Sequence, residues 1–154
     1  MAPERKPAWT WQFARDQLQF LKPLPPIDAI TPEWAWGGST GQGVRVGIID
    51  SGVDTTHPEV DGHVVGYAAF RETPNGIITN TEPHTDSYGH GTACAGIIRS
   101  IAPDVEIYSI KVLGGLLSGK GTIFQAGMRW AVENRMDVVN LSLGSTKRDF
   151  FAVF

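Results

Sequence analysis

A chain of 154 residues, 42% hydrophobic and 19% charged, has the length and composition of one globular domain with a buried core. Its net charge of -3 offers no basic field for nucleic acid and no polybasic stretch for an anionic membrane. A single cysteine, Cys94, excludes an internal disulfide framework, and no apolar run approaches the roughly 20 residues of a membrane-spanning helix.

The start, Met1-Ala2-Pro3-Glu4-Arg5-Lys6-Pro7, is positively charged but is followed by no apolar segment, so no signal peptide is read and a cytoplasmic location is favoured. Trp9 to Leu21 reads as a short helix with Trp9, Phe13, Leu18 and Leu21 on one face, and the prolines of Lys22-Pro23-Leu24-Pro25-Pro26 end it. Residues 1–28 are therefore expected to be a leader with a Pro-rich linker, and residues 29–154 to belong to the main domain. Thr31-Pro32-Glu33 opens a helix that Gly37-Gly38 stops.

Val44 to Ile49 is a short, β-branched apolar run, as expected of a parallel strand buried on both faces. His63 to Phe70 is a weaker strand, and the polar, turn-rich residues 71–88 read as surface loop. Gly91 to Ile101 has helical spacing, with Ala95, Ile98 and Ile101 for one face; Pro103-Asp104 breaks it before the strand Val105 to Leu113. Thr122 to Arg135 is the best helix, apolar at Ile123, Ala126, Trp130 and Val132 and polar at Gln125, Arg129 and Glu133. Asp137 to Leu143 is a last apolar strand. This alternation predicts an α/β domain: three layers, a mainly parallel sheet with helices on both faces, and right-handed crossovers.

Three blocks carry chemistry, at strand C-termini or helix N-termini, where open α/β sheets form ligand crevices. In Val46-Gly47-Ile48-Ile49-Asp50-Ser51-Gly52-Val53-Asp54, an acid directly follows an apolar strand. Asp50 can orient a cationic partner there, although a turn aspartate or a ribose-binding acid reads the same way. In Asp86-Ser87-Tyr88-Gly89-His90-Gly91-Thr92-Ala93-Cys94-Ala95-Gly96, a histidine between glycines opens a helix, whose dipole works against a positive ring. The flanking glycines let another backbone come close to the imidazole. Asp137-Val138-Val139-Asn140-Leu141-Ser142-Leu143-Gly144 is either a core strand leaving through a turn or an edge on which a peptide adds as a further strand.

Taken together, the blocks resemble the subtilisin-like (S8) serine protease family over roughly Ile30 to Gly144. Asp50 lies in a match to the D-[ST]-G motif, which continues into Thr56-His57-Pro58, and His90, 40 positions later, lies in a match to H-G-T. Asn140-Leu141-Ser142-Leu143-Gly144 matches the substrate-strand motif. The resemblance implies a truncated subtilisin-like fold, residues 29–154 being the N-terminal part of a peptidase domain that cuts a peptide or protein substrate. Asp50 would orient and stabilise His90, and His90 would move the proton of a serine hydroxyl. Ser142, Leu143 and Gly144 would pair with the substrate main chain on one side, and Leu117, Ser118 and Gly119 would line the other. Cys94 matches a position where some members carry a free cysteine near the histidine; an inert core residue is the expectation.

The family's order places the serine roughly 150 residues beyond the histidine, near residue 240. No serine among the 154 residues fits the G-T-S-[MA] motif, Ser39 included, and the oxyanion Asn is missing as well. This chain alone is therefore expected to be proteolytically silent, with the remainder of the peptidase domain as its partner. A non-catalytic peptide-binding module is the alternative. A metal enzyme is disfavoured because His57, His63, His84 and His90 form no H-E-x-x-H pair. No cofactor and no metal are expected. Ile98-Arg99-Ser100-Ile101-Ala102-Pro103 passes straight into the next strand, with no room for the calcium loop of secreted relatives, and a lone Glu59 makes no strong calcium site. The unpaired sheet edge and the apolar tail Phe150-Phe151-Ala152-Val153-Phe154 favour self-association.

Overall fold

The computed structural model describes residues 31–144, and the chain divides into two units after Gly38. The expected helix at Trp9–Leu21, the proline linker and the apolar tail lie outside the described residues. In the first unit, α1 (Pro32–Trp36) starts as its residues dictate: the Thr31 hydroxyl accepts from the Trp34 N–H at 3.2 Å, and Gly37 ends the helix in the left-handed region.

The second unit holds β1 (Arg45–Asp50), β2 (Val64–Thr73), β3 (Gly76–Asn80), α2 (His90–Ile101), β4 (Glu106–Lys111), α3 (Gly121–Glu133) and β5 (Val138–Asn140). The strands form one sheet in the order β3-β2-β4-β1-β5. β1 pairs in parallel with β4 on one side and β5 on the other, and β2 with β4, so the sheet is mainly parallel as expected.

Both faces of β1 are covered, which explains its unbroken apolar run. Val46 and Ile48 point into one core with Val64 of β2, Ile107 of β4 and Ala95 of α2. Ile49 points the other way, packing with Ile110, Val112 and, from α3, Ile123 and Ala131. Period-two alternation on the strands thus serves two helix layers, and the fold is the three-layer α/β arrangement of the sequence reading. α3 approaches the sheet closely at Gly127, where a Cβ would stand 2.6 Å from Val112 Cγ1. No described helix is long and apolar enough to cross a membrane.

Two segments differ from expectation. Residues 71–88 are not all loop: β2 runs on to Thr73 and turns back as β3 in an antiparallel hairpin, with Thr73 opposite Gly76 and Ala69 opposite Asn80. The turn is Thr73-Pro74-Asn75-Gly76, and Asn-Gly is a strong hairpin signal that exposure masked, every β3 residue being exposed. The last strand is also shorter than Asp137 to Leu143: β5 ends at Asn140, and residues 141–144 leave the ladder.

The loop between β3 and α2 is pinned by His84. Its Nε2 lies 2.9 Å from the hydroxyl of the fully buried Ser109, and its ring stands edge-on to Tyr67 with centroids 5.2 Å apart. Nδ1 is buried and, among the described residues, makes no hydrogen bond. Burial first, then the Lys111 ammonium, push the imidazole below its ordinary range, while the Glu82 carbonyl opposes them. A fold that holds His84 neutral keeps that contribution in full above the unfolded pKa of about 6.5 and loses it as the pH falls below this value. Thermal midpoints measured from pH 7.5 to 5 should fall more steeply for the native protein than for His84→Phe, which keeps the ring contact without the titration.

Candidate active site

The site forms where β1 meets the start of α2. In β1 the apolar run Val46 to Ile49 ends at the C-terminal edge of the sheet on Asp50. Its side chain is 0% exposed. A buried carboxylate needs donors on its oxygens. Oδ1 receives the Ser51 N–H at 2.7 Å and the Ser51 hydroxyl at 3.2 Å. His90 Nδ1 reaches both oxygens, at 2.9 Å to Oδ1 and 2.8 Å to Oδ2. An ionised carboxylate only accepts, so Nδ1 carries the ring proton and Nε2 is the nitrogen left for a second partner. The His90 side chain is 36% exposed, so the ring is fixed at one end and open to solvent at the other.

Glycines make the approach possible. Gly89 precedes the helix with φ 103°, a left-handed turn that brings His90 round to the first helical position. Gly91 packs on the β1 turn so tightly that a Cβ would stand 2.1 Å from the Gly52 carbonyl oxygen and 3.1 Å from Asp50 Cβ. That oxygen belongs to backbone and has nowhere to go. Gly91→Ala is therefore expected to cost about 3 kcal/mol, the upper end for overpacking, and to separate His90 from Asp50. Denaturant midpoints of the two proteins check it.

Asp86 ties the same two elements together. Its Oδ1 accepts from the Ser51 hydroxyl at 2.8 Å and the Tyr88 N–H at 2.9 Å. Its Oδ2 accepts from the Thr92 N–H at 2.9 Å and the Thr92 hydroxyl at 2.7 Å. Burial pushes this carboxyl up, but the hydrogen bonds from Thr92, Gly89 and Tyr88 outweigh burial and hold it well below the usual carboxylate range. The sequence reading passed over Asp86. The available signal was an acid two residues before a turn N–H and six before the third helical position, the spacing of an Asx turn leading into a helix.

The other expected site residues lie at the same edge of the sheet. Leu117, Ser118 and Gly119 follow β4, and Ser142, Leu143 and Gly144 follow β5, the two strands that flank β1. Asp50 helps hold the first segment, since its carbonyl accepts the Val112 and Leu113 N–H groups at 2.9 and 3.1 Å. Residues 114–118 close a turn, with the Gly114 N–H on the Ser118 carbonyl at 3.0 Å and Leu117 at φ 50°. Lys120, just beyond, pairs with Glu72 of β2. Ser142 donates to Asn140 Oδ1 at 3.0 Å. Among the described residues, neither segment hydrogen-bonds Asp50 or His90 through its side chains. The structure thus joins Asp50 to His90 directly, while the two segments follow the strands on either side of β1.

Cys94 is free and partly buried, packed against the core that contains Ala95 and Ile107. Asp50, His90 and Cys94 bring potential ligand atoms within 4.8 Å of one another. Glu59 lies against α2, its carboxylate 2.7 Å from where a Cβ on Gly96 would stand.

A parallel α/β sheet that ends in a buried carboxylate, bonded to one nitrogen of a half-exposed histidine, has the framework of a hydrolase charge pair. The subtilase family model matches residues 41–151, and the chain belongs to that family, the subtilisin-like serine proteases of peptidase class S8. It is 38% identical over 116 residues to subtilisin E of Bacillus subtilis (strain 168), covering 70% of this chain and 28% of that protein. It is 41% identical over 118 residues to subtilisin Savinase of Lederbergia lenta, covering 70% of this chain and 40% of the relative. The chain thus spans well under half the length of these relatives. A lanthipeptide protease structure aligns with TM-score 0.58 at 33% identity, over 75% of this chain and 34% of the other. A cold-adapted subtilisin-like serine proteinase shares the fold with TM-score 0.57 at 24% identity, over 75% and 42% of the two chains.

Proposed function

We propose that this chain supplies the Asp–His half of the triad of a serine endopeptidase, the nucleophilic serine and the oxyanion Asn coming from a further part of the same domain. The observation that carries the reading is the 2.8 Å contact between His90 Nδ1 and the buried Asp50 carboxylate. With Nδ1 held, Nε2 takes the serine proton as the hydroxyl attacks the peptide carbonyl, and returns it to the leaving amine. The buried anion stabilises the imidazolium that exists between those two transfers.

An extended peptide lies between the segment Leu117, Ser118, Gly119 and the segment Ser142, Leu143, Gly144, hydrogen-bonding their main chains as an added strand. Their position after the strands flanking β1 supports this, because a peptide held there passes the exposed end of His90. β5 is the outer strand of the described sheet, and the remainder of the domain pairs along its outer edge. Incubating the full-length protein with an unfolded protein substrate tests the reading. Internal cuts that a serine-directed fluorophosphonate blocks are expected; absence of hydrolysis, or hydrolysis indifferent to the reagent, refutes it.

A further inference from the structure

We propose, resting on the protease reading above, that Asp86 is a positioning residue for the Asp50–His90 pair: it clamps the start of α2 to the end of β1 and draws the Ser51 hydroxyl proton away from Asp50.

The clamp is built from both sides. From β1, the Ser51 hydroxyl reaches Asp86 Oδ1 at 2.8 Å, and the Ser51 carbonyl accepts the Ser87 N–H at 3.0 Å. From α2, the Thr92 N–H and hydroxyl reach Asp86 Oδ2 at 2.9 and 2.7 Å, and the Thr92 oxygen in turn accepts the Asp54 N–H at 2.9 Å. Asp86 therefore stands between the residue after Asp50 and the residue two beyond His90. Gly89 has no side chain to cap α2, and the Asp86 carboxylate answers the third N–H of this 12-residue helix instead.

Ser51 makes the link chemical as well as spatial. Its hydroxyl has one proton and two carboxylates within reach, Asp86 at 2.8 Å and Asp50 at 3.2 Å. The shorter contact takes the larger share of that proton. Asp50 Oδ1 keeps more of its acceptor strength for His90, where it is needed when the ring becomes positive.

Asparagine cannot do the same work. Each Asp86 oxygen accepts a backbone N–H, from Tyr88 on Oδ1 and from Thr92 on Oδ2. Whichever way an amide is turned, its NH₂ group faces one of those donors. The helix start must then move, and the Ser51 proton turns to Asp50. A small misplacement of a general base is enough to cost roughly 10²-fold in rate. Among the described residues, neither substrate segment hydrogen-bonds Asp86, Ser51 or Thr92, so KM should move little.

The test uses the full-length protease and two readouts. In Asp86→Asn, kcat is expected to fall roughly 10²-fold with KM nearly unchanged. The deshielded Nδ1 proton resonance of His90 should shift upfield or vanish, while methyl resonances of the core stay in place. Thr92→Val takes one donor from Asp86 Oδ2 and so loosens the α2 side of the clamp; it should move both readouts in the same direction, and it decides the matter if Asp86→Asn does not fold. Native-like kcat together with a native-like Nδ1 resonance, in whichever of the two variants folds, overturns the proposal. Should the protein prove not to be a protease, hydrolysis is absent in the parent as well, and the resonance alone then decides the role of Asp86.

Discussion

On the proposed function, His90→Ala in the full-length protein is expected to lower kcat by about 10⁶-fold while leaving the fold intact. In subtilisin, loss of the histidine costs about 2 × 10⁶, and the geometry here gives the same reason for a loss of that size. His90 is the one imidazole hydrogen-bonded to Asp50 among the described residues, through contacts of 2.8 and 2.9 Å that fix which nitrogen faces outward. The side chain is also 36% exposed and lies at a helix start rather than in either core. Removing it should therefore leave the thermal midpoint within about 1 °C per few tenths of a kcal/mol lost, a small change beside the kinetic one. Hydrolysis rates and melting curves of the purified variant check both halves of the expectation.

The second large effect belongs to Asp50→Asn. The amide keeps the shape of the carboxylate, so the packing of a side chain that is 0% exposed is retained. What changes is the sign of one partner. An asparagine NH₂ that faces the ring forces the proton from Nδ1 to Nε2, and Nε2 can no longer accept from the serine. The positive ring formed during catalysis also loses its counter-charge. A fall in kcat of about 10⁴-fold is expected, in line with the corresponding losses in other serine proteases. The fall should be smaller than for His90→Ala, because a fraction of the rings can still present the right tautomer. Equal losses in the two variants would mean that Asp50 does more than orient and neutralise.

Much of this was legible in the chain itself, for reasons that differ from residue to residue. β1 was visible because both its faces are buried, which writes an unbroken Val-Gly-Ile-Ile into the sequence, and an acid at the end of such a run stands out. The start of α2 was visible because His90 sits between two glycines. The motifs then supplied what periodicity cannot, the pairing of two residues 40 positions apart.

The hairpin at residues 64–80 escaped because β3 buries nothing, leaving Asn75-Gly76 as its one signal. The fold of residues 114–118 escaped because it places Leu117, not a glycine, at φ 50°. Such a conformation is held by its neighbours rather than announced by its residue type. Asp86 lay in plain view within the histidine block. Its role depends on Ser51 and Thr92 meeting across 41 positions of chain, a juxtaposition the fold creates and no local pattern encodes.

The central claim is that Asp50 and His90 activate a serine that these 154 residues do not contain. The most direct test is to label the full-length protein with a serine-directed fluorophosphonate and map the modified residue by peptide mass spectrometry. A single label is expected, on a serine beyond Phe154, formed in the native protein and not in His90→Ala. A label on any serine between Met1 and Phe154, or equal labelling with and without His90, would contradict the account.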